Sequence, residues 1–260
     1  MGPHATGKQE KEEGVTLSFV KACGRGWAAP TPFFYLRRQE TWGGSAIVMT
    51  HSAANMTGVL LAGGKSRRMG QDKRFLELEG RTLLERALAV LEALFSEVIV
   101  VVAEPAPQLS GLRHRVVTDL IPNCAALGGL YTGLSFAGQP RVFAAGCDMP
   151  FLDPAAIKWM IGLDQHSDIV MAQLASGLQP MHAIYSKACL PDLERMAAAH
   201  NLKVQDLCQA SGLSARLVSE DEIRGIDPQF LSFLNVNTPA DLEFARKLAA
   251  GRRPQDGRRA

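Results

Sequence analysis

Residues 61–73 read Leu-Ala-Gly-Gly-Lys-Ser-Arg-Arg-Met-Gly-Gln-Asp-Lys, a stretch crowded with the cations Lys65, Arg67, Arg68 and Lys73. The pair Gly63-Gly64 closes a short apolar run and lets the backbone turn tightly with its N–H groups exposed. Exposed amides beside cations suit a polyphosphate. Two familiar phosphate loops are nonetheless excluded. The pattern G-x-x-x-x-G-K-[ST] ends correctly at Gly64-Lys65-Ser66, but its first glycine position holds Val59. The dinucleotide pattern G-x-G-x-x-G is missing from this loop as well. A solvated basic turn would carry the same residues, so the local reading leaves both uses open.

Asp119 and Asp148 each end a predicted strand. A carboxylate where a buried strand opens to ligand can help hold Mg²⁺, a hard cation that takes oxygen ligands from one or two carboxylates, phosphates and water. Asp119 would serve equally well to turn the chain ahead of Ile121-Pro122. Asn235 and Asn237 alternate, so on a strand they share one face. Bonding to the helix start at Thr238 is their other use. Cys147 and Cys124 flank these segments without a neighbouring His or second Cys, and read as structural thiols. His182 reads as a core or rim imidazole, and no cluster has zinc-ligand spacing.

Alternating strand and helix signals position these residues. Residues 57–62, 97–103, 113–119 and 141–148 predict strands, the second a continuous β-branched run as expected of a parallel strand covered on both faces. Residues 82–95 have helical apolar spacing and start with a Thr82/Glu85 capping box. Residues 127–137 form a helix of small residues, and Asp153-Pro154 starts another that runs through Trp159. Residues 168–174, 180–186, 215–219 and 233–237 predict further strands, and Thr238-Pro239-Ala240-Asp241 caps a final helix. This order predicts one three-layer α/β domain over residues 56–250 with a mainly parallel sheet. Ligands bind such sheets at the C-terminal strand ends, where Gly63-Gly64, Asp119 and Asp148 all fall.

Composition bounds the alternatives. The chain has 260 residues, 47% hydrophobic and 21% charged, which excludes a wholly disordered, fibrous or membrane-spanning protein. A net charge of +2 provides no basic field for nucleic acid. Five scattered cysteines without a C-x-x-C pair fit a reduced, cytoplasmic protein. Residues 1–55 mix a charge cluster with aperiodic Gly, Pro and aromatics, and read as a disordered extension. The competing reading is a partner-binding arm carrying Trp27, Phe33, Phe34, Tyr35 and Trp42. Met49 or Met56 is an alternative start of translation, and residues 251–260 read as a frayed basic tail.

The longer pattern L-A-G-G-x-S-x-R-M-G-x-D-K resembles the N-terminal signature of molybdenum cofactor guanylyltransferases, the MobA family of the nucleotidyltransferase superfamily. Residues 116–134, 144–152 and 178–185 resemble the family's later segments, and 235–242 looks like its N-V-N-T-P-x-[DE]-L ending. The resemblance covers residues 57–246 and implies a Rossmann-like nucleotidyltransferase fold. It implies transfer of GMP from GTP to molybdenum-bearing molybdopterin, with release of pyrophosphate. It places Leu61, Ala62, Gly63, Lys73, Asp119 and Asp148 around GTP, with Lys73 and Asp148 catalytic. The resemblance further implies that Asp148 binds Mg²⁺ and that Asn235 and Asn237 lie on the molybdopterin side. Molybdoenzyme apoproteins or cofactor chaperones are the implied protein partners, with neither nucleic acid nor membrane.

The chemistry agrees with those roles. Attack on an α-phosphorus is accelerated chiefly by positioning and charge stabilisation, and the attacking phosphate is already an anion. The chain departs from the family in one loop: a G-P-L-x-G pattern becomes Ala125-Ala126-Leu127-Gly128-Gly129. The 97–103 strand also ends in Val-Val-Ala where some members carry an asparagine that touches nucleotide. Ala62-Gly63-Gly64 favours guanine over the Ala-Ala-Gly usual in the related cytidylyltransferases. Gly63, lacking Cβ, is expected to admit a purine edge. The alternatives are a cytidylyltransferase on the same cofactor, a sugar-phosphate nucleotidyltransferase, and a cofactor carrier without turnover. Retention of both Lys73 and Asp148 argues against the carrier.

Overall fold

The structure is a computed structural model that describes residues 55–63, 72–164 and 166–251. Expectations about the N-terminal extension, the basic tail and the cations Lys65, Arg67 and Arg68 lie outside the described residues, apart from Asn55 and Gly251.

The chain runs β1 (Met56–Leu61), β2 (Glu77–Leu78), β3 (Arg81–Thr82), α1 (Leu83–Leu94), β4 (Glu97–Val102), β5 (Arg115–Thr118), α2 (Ala125–Phe136) and β6 (Arg141–Gly146). It continues with α3 (Pro154–Leu163), β7 (Ile169–Leu174), β8 (Gly177–Ser186), α4 (Leu190–Ala198), β9 (Ala215–Ser219), α5 (Glu220–Arg224) and α6 (Pro239–Gly251). The sheet has seven strands in the order β5-β4-β1-β6-β8-β7-β9. Only β8 runs antiparallel to its neighbours, so the sheet is mainly parallel, as expected. β1 is buried along its whole length, because partners hydrogen-bond both its edges and helices cover both its faces.

Two apolar layers hold the sheet. On one face, Leu84, Leu88 and Leu91 of α1 and Ile157 of α3 pack over Leu60, Val100 and Phe143. On the other, Leu127, Leu130 and Leu134 of α2 and Leu193 of α4 pack over Val59, Val101 and Ala144. Helix α2 sits close to the sheet because it lacks side chains there: a Cβ on Gly133 would lie 2.4 Å from Val59 Cγ1. A third cluster joins α6 to the β2–β3 hairpin through Leu78, Leu83, Val236 and Leu242.

Local signals set most boundaries. Thr82 and Glu85 form the capping box of α1, and the Asp153 carboxylate accepts from Ala155 N ahead of Pro154. Three expectations are corrected. Helix α3 continues beyond Trp159 to Leu163. Strand β6 stops at Gly146, and Asp148 stands in the turn beyond it. Residues 233–237 are not a strand: a 3-10 turn, Leu231–Phe233, leads into extended chain with no ladder partner. Val236 N donates instead to Asp148 O at 2.8 Å, and its side chain is buried in the third cluster. Helix α4 and the 3-10 segment Val204–Gln209 had no clear sequence signal.

Candidate functional site

Strands β1, β4, β5 and β6 are parallel, so their C-terminal ends open on the same side of the sheet. A cavity of about 550 Å³ lies there. Leu61, Ala62, Gly63, Lys73, Asp119 and Asp148, drawn from four separate segments, all line it. Asp72, Arg74, Glu104, Ala125, Ala126 and Met181 complete much of the wall.

Asp148 is held from two sides. Cys147 N donates to Leu61 O at 3.1 Å, which extends the β1–β6 ladder past Gly146. Met149 N then turns back to Gly146 O at 3.3 Å. Burial raises the Asp148 carboxyl pKa, and the Lys73 ammonium opposes that rise. The neighbouring Cys147 thiol is pushed up to about 12, chiefly by burial, so it stays protonated at neutral pH. It is a packing residue, as its sequence context suggested.

Lys73 opens a 3-10 turn, Lys73–Phe75, whose N-cap is Asp72. The Asp72 carboxylate accepts from Arg74 N at 3.0 Å and from Arg74 Nε at 2.9 Å. The Arg74 guanidinium and this backbone bond together hold the Asp72 pKa below its usual value despite burial. Lys73 Nζ donates to Asn237 Oδ1 at 2.7 Å and stands 3.7 Å from Asp148 Oδ2. Asn237 is itself fixed, because its N–H donates to the Asp241 carboxylate at 2.9 Å. That carboxylate also accepts from Thr238 N at 2.8 Å, while Asp241 N donates to Thr238 Oγ1 at 3.2 Å.

Asp119 follows β5, its N–H donating to Val102 O at 2.9 Å. Its Oδ1 is buried and has no hydrogen-bond partner among the described residues. Burial raises its pKa to about 6. The carboxylate faces the Gly128-Gly129 pair of α2: Cβ atoms built there would lie 3.6 and 3.7 Å from its oxygens. The approach to that helix is strained. Asn123 has φ 66° and Ala125 φ 49°, a left-handed conformation that an alanine rarely adopts.

Neither Asn235 nor Asn237 lines the cavity: Asn237 meets it through Lys73 Nζ, and the Asn235 side-chain amide donates to Phe233 O at 3.3 Å. At Gly63 a Cβ would meet Ala103 N at 3.1 Å and Ala103 Cβ at 3.3 Å, so the glycine also packs tightly against the end of β4. Several wall residues were missed. Asp72 carried a usable N-cap signal, whereas Met181 of β8 reaches the cavity only through the sheet order.

A hard divalent cation would find the Asp148 carboxylate 3.7 Å from Lys73 Nζ, with the carboxylates of Asp72, Glu104 and Asp119 elsewhere in the cavity wall. Among the described residues no group of three or more His, Cys, Asp or Glu forms a protein cage for a metal. One carboxylate fits an ion shared with substrate phosphates, a common arrangement for Mg²⁺. A separate cavity of about 380 Å³ lies behind the Asp148 turn, walled in part by Arg86, Pro150 and Phe151. There Arg86 Nε donates to Pro150 O at 3.2 Å and Nη1 to Leu78 O at 3.3 Å, which braces the turn against the hairpin.

A family profile described as a MobA-like NTP transferase domain matches residues 58–214. A probable molybdenum cofactor guanylyltransferase from Pelotomaculum thermopropionicum is 37% identical over 199 residues, 76% of this chain and 95% of the relative. A molybdenum cofactor guanylyltransferase from Desulfosudis oleivorans is 36% identical over 200 residues, 76% of this chain and 98% of the relative. In fold, the chain resembles the crystal structure of molybdopterin-guanine dinucleotide biosynthesis protein A from Archaeoglobus fulgidus. The TM-score is 0.67 at 24% identity, covering 75% of this chain and 99% of that one.

Proposed function

Because the chain belongs to the MobA-like NTP transferase family, we propose that it transfers GMP from GTP to molybdenum-bearing molybdopterin and releases pyrophosphate. The observation that carries this reading is the convergence of Lys73 and Asp148, 3.7 Å apart, on the cavity at the parallel strand ends. The guanylyltransferase names of the relatives support the choice of base and acceptor.

In this mechanism a terminal phosphate oxygen of molybdopterin attacks the α-phosphorus of GTP. The bond to the β-phosphate oxygen breaks, and pyrophosphate leaves. Lys73 is a point charge for phosphate oxygens, and Asn237 holds its Nζ in place before substrate arrives. Asp119 presents an unmatched buried acceptor to donor groups of the nucleoside. Leu61, Ala62 and Gly63 form the floor beneath it. Asp148 would hold Mg²⁺, which when bound neutralises charge on the phosphates. Asn237 would stand between the lysine and the molybdopterin side, while Asn235 supports the turn behind it. The reaction would be cytoplasmic, with product passed to molybdoenzyme apoproteins or cofactor chaperones. Among the described residues no helix is long and apolar enough to cross a membrane.

The test is incubation of the full chain with molybdenum-molybdopterin, Mg²⁺ and each nucleoside triphosphate in turn, following pyrophosphate. GTP should exceed CTP by at least about 100-fold in kcat/KM, or about 2.7 kcal/mol. Comparable turnover with CTP would overturn the guanine assignment. No pyrophosphate from any nucleotide would overturn transfer itself.

A further inference from the structure

His182 lies on β8 opposite Ala145 of β6, three residues upstream of Asp148. Its side chain is fully buried. The ring stands edge-on to Phe143 at 5.2 Å and tilted against Phe233 at 4.3 Å. A polar ring in such a place needs a partner, and Nε2 lies 2.8 Å from Ser232 Oγ. Burial lowers the imidazole pKa to about 4, so the ring is neutral across the physiological range.

Ser232 gathers more than the histidine. It is 1% exposed, and its Oγ accepts from Asp153 N at 3.0 Å. Its own N–H donates to Asp227 Oδ2 at 2.8 Å. The hydroxyl therefore ties β8 and the start of α3 to the 3-10 turn Leu231–Phe233. That turn feeds directly into the segment whose Val236 N holds Asp148 O and whose Asn237 Oδ1 holds Lys73 Nζ. The segment has no strand partner, so side-chain anchors join the single Val236 N–Asp148 O bond in setting its position.

We propose that His182 is a positioning residue of the transfer site: through Ser232 it fixes the 231–237 segment, and so sets Asn237 and Lys73 against Asp148. The inference rests on the transferase reading for its turnover arm only. The bond geometry supports a role exerted at a distance, since neither His182 nor Ser232 lines the 550 Å³ cavity.

Two substitutions remove the tie by different routes, His182→Leu with similar volume and Ser232→Ala with one atom lost. His182→Gln retains a donor and acceptor. In the ligand-free full chain, amide exchange at Ser232 and Val236 should quicken about five- to tenfold in the first two variants and return toward wild type in His182→Gln. Turnover, read as pyrophosphate release, should fall about tenfold in kcat/KM for His182→Leu in the wild-type background. In an Asn237→Ala background the same change should cost less than about twofold, because the segment's contact with Lys73 is already gone. Unchanged exchange at Ser232 and Val236 overturns the proposal, as do equal losses in the two backgrounds. Should His182→Leu fail to fold, Ser232→Ala carries both arms. Should wild type release no pyrophosphate, the transferase reading falls and the exchange arm alone decides the positioning role.

Discussion

A Cβ built on Gly146 would lie 2.6 Å from Asp148 Oδ1, so the Asp148 carboxylate occupies the space that any other residue at 146 would fill. The carboxylate can swing aside more cheaply than backbone can move. Gly146→Ala should therefore melt within a few degrees of wild type yet lose about 100-fold in kcat, the scale of a misplaced catalytic group. Asp148→Asn should lose at least as much while remaining folded. The double variant should be no slower than Asp148→Asn alone. Additive losses would show that Gly146 acts elsewhere.

Lys73 should matter to phosphate and not to nucleoside. Lys73→Ala removes the charge whose Nζ sits between Asn237 and Asp148. Calorimetry should find GTP and GDP weakened about ten- to a hundredfold, the worth of a charge-assisted contact of about 1.5–3 kcal/mol. Guanosine should bind as before. Equal weakening of nucleoside and nucleotide would contradict the assignment.

Asp119 gives the site a pH dependence. Its folded pKa, about 6, is raised above the unfolded carboxylate value by burial. Between roughly pH 4 and 6 the folded protein binds the extra proton, so this group's contribution to stability is present at low pH and lost as pH rises. Ligand donors need the ionised form, so nucleotide affinity should climb as pH rises through about 6. Asp119→Asn should flatten that step, while the nucleotide's own titration remains in both proteins. Parallel affinity profiles from pH 5 to 7.5 would exclude Asp119 as the acceptor.

Ala125 carries strain that glycine would release. At φ 49° its Cβ is crowded by its own backbone, at a cost of about 1–2 kcal/mol. Glycine recovers that but has a floppier unfolded chain, so the net gain should be about 0.5–1 kcal/mol. Urea titration of Ala125→Gly should move the midpoint upward with an unchanged m-value. A lower midpoint would mean that the alanine methyl is needed by its surroundings.

What was legible in the sequence is what short-range physics decides. Unbroken apolar runs gave β1, β4 and β6 their places because a strand buried on both faces has no polar side to show. Thr82 with Glu85, and Asp153 with Pro154, marked helix starts because caps are satisfied within one turn. The strands read over 113–119 and 141–148 already placed Asp119 and Asp148 at strand ends. The motif resemblance supplied their roles, which spacing alone left open.

Tertiary structure decided the rest. Asn235 and Asn237 alternate as strand residues do, yet no sheet edge is offered to them, so Val236 N bonds to Asp148 O. Asn237 reaches Lys73 across 164 residues, a pairing that no local pattern encodes. The reversed direction of β8 puts Met181 at the cavity and His182 beneath the Asp148 turn. The raised pKa of Asp119 comes from burial, which exists only once the chain has packed around it. Propensity and capping act over a few residues, whereas burial, partner choice and charge environment exist only once distant segments have packed.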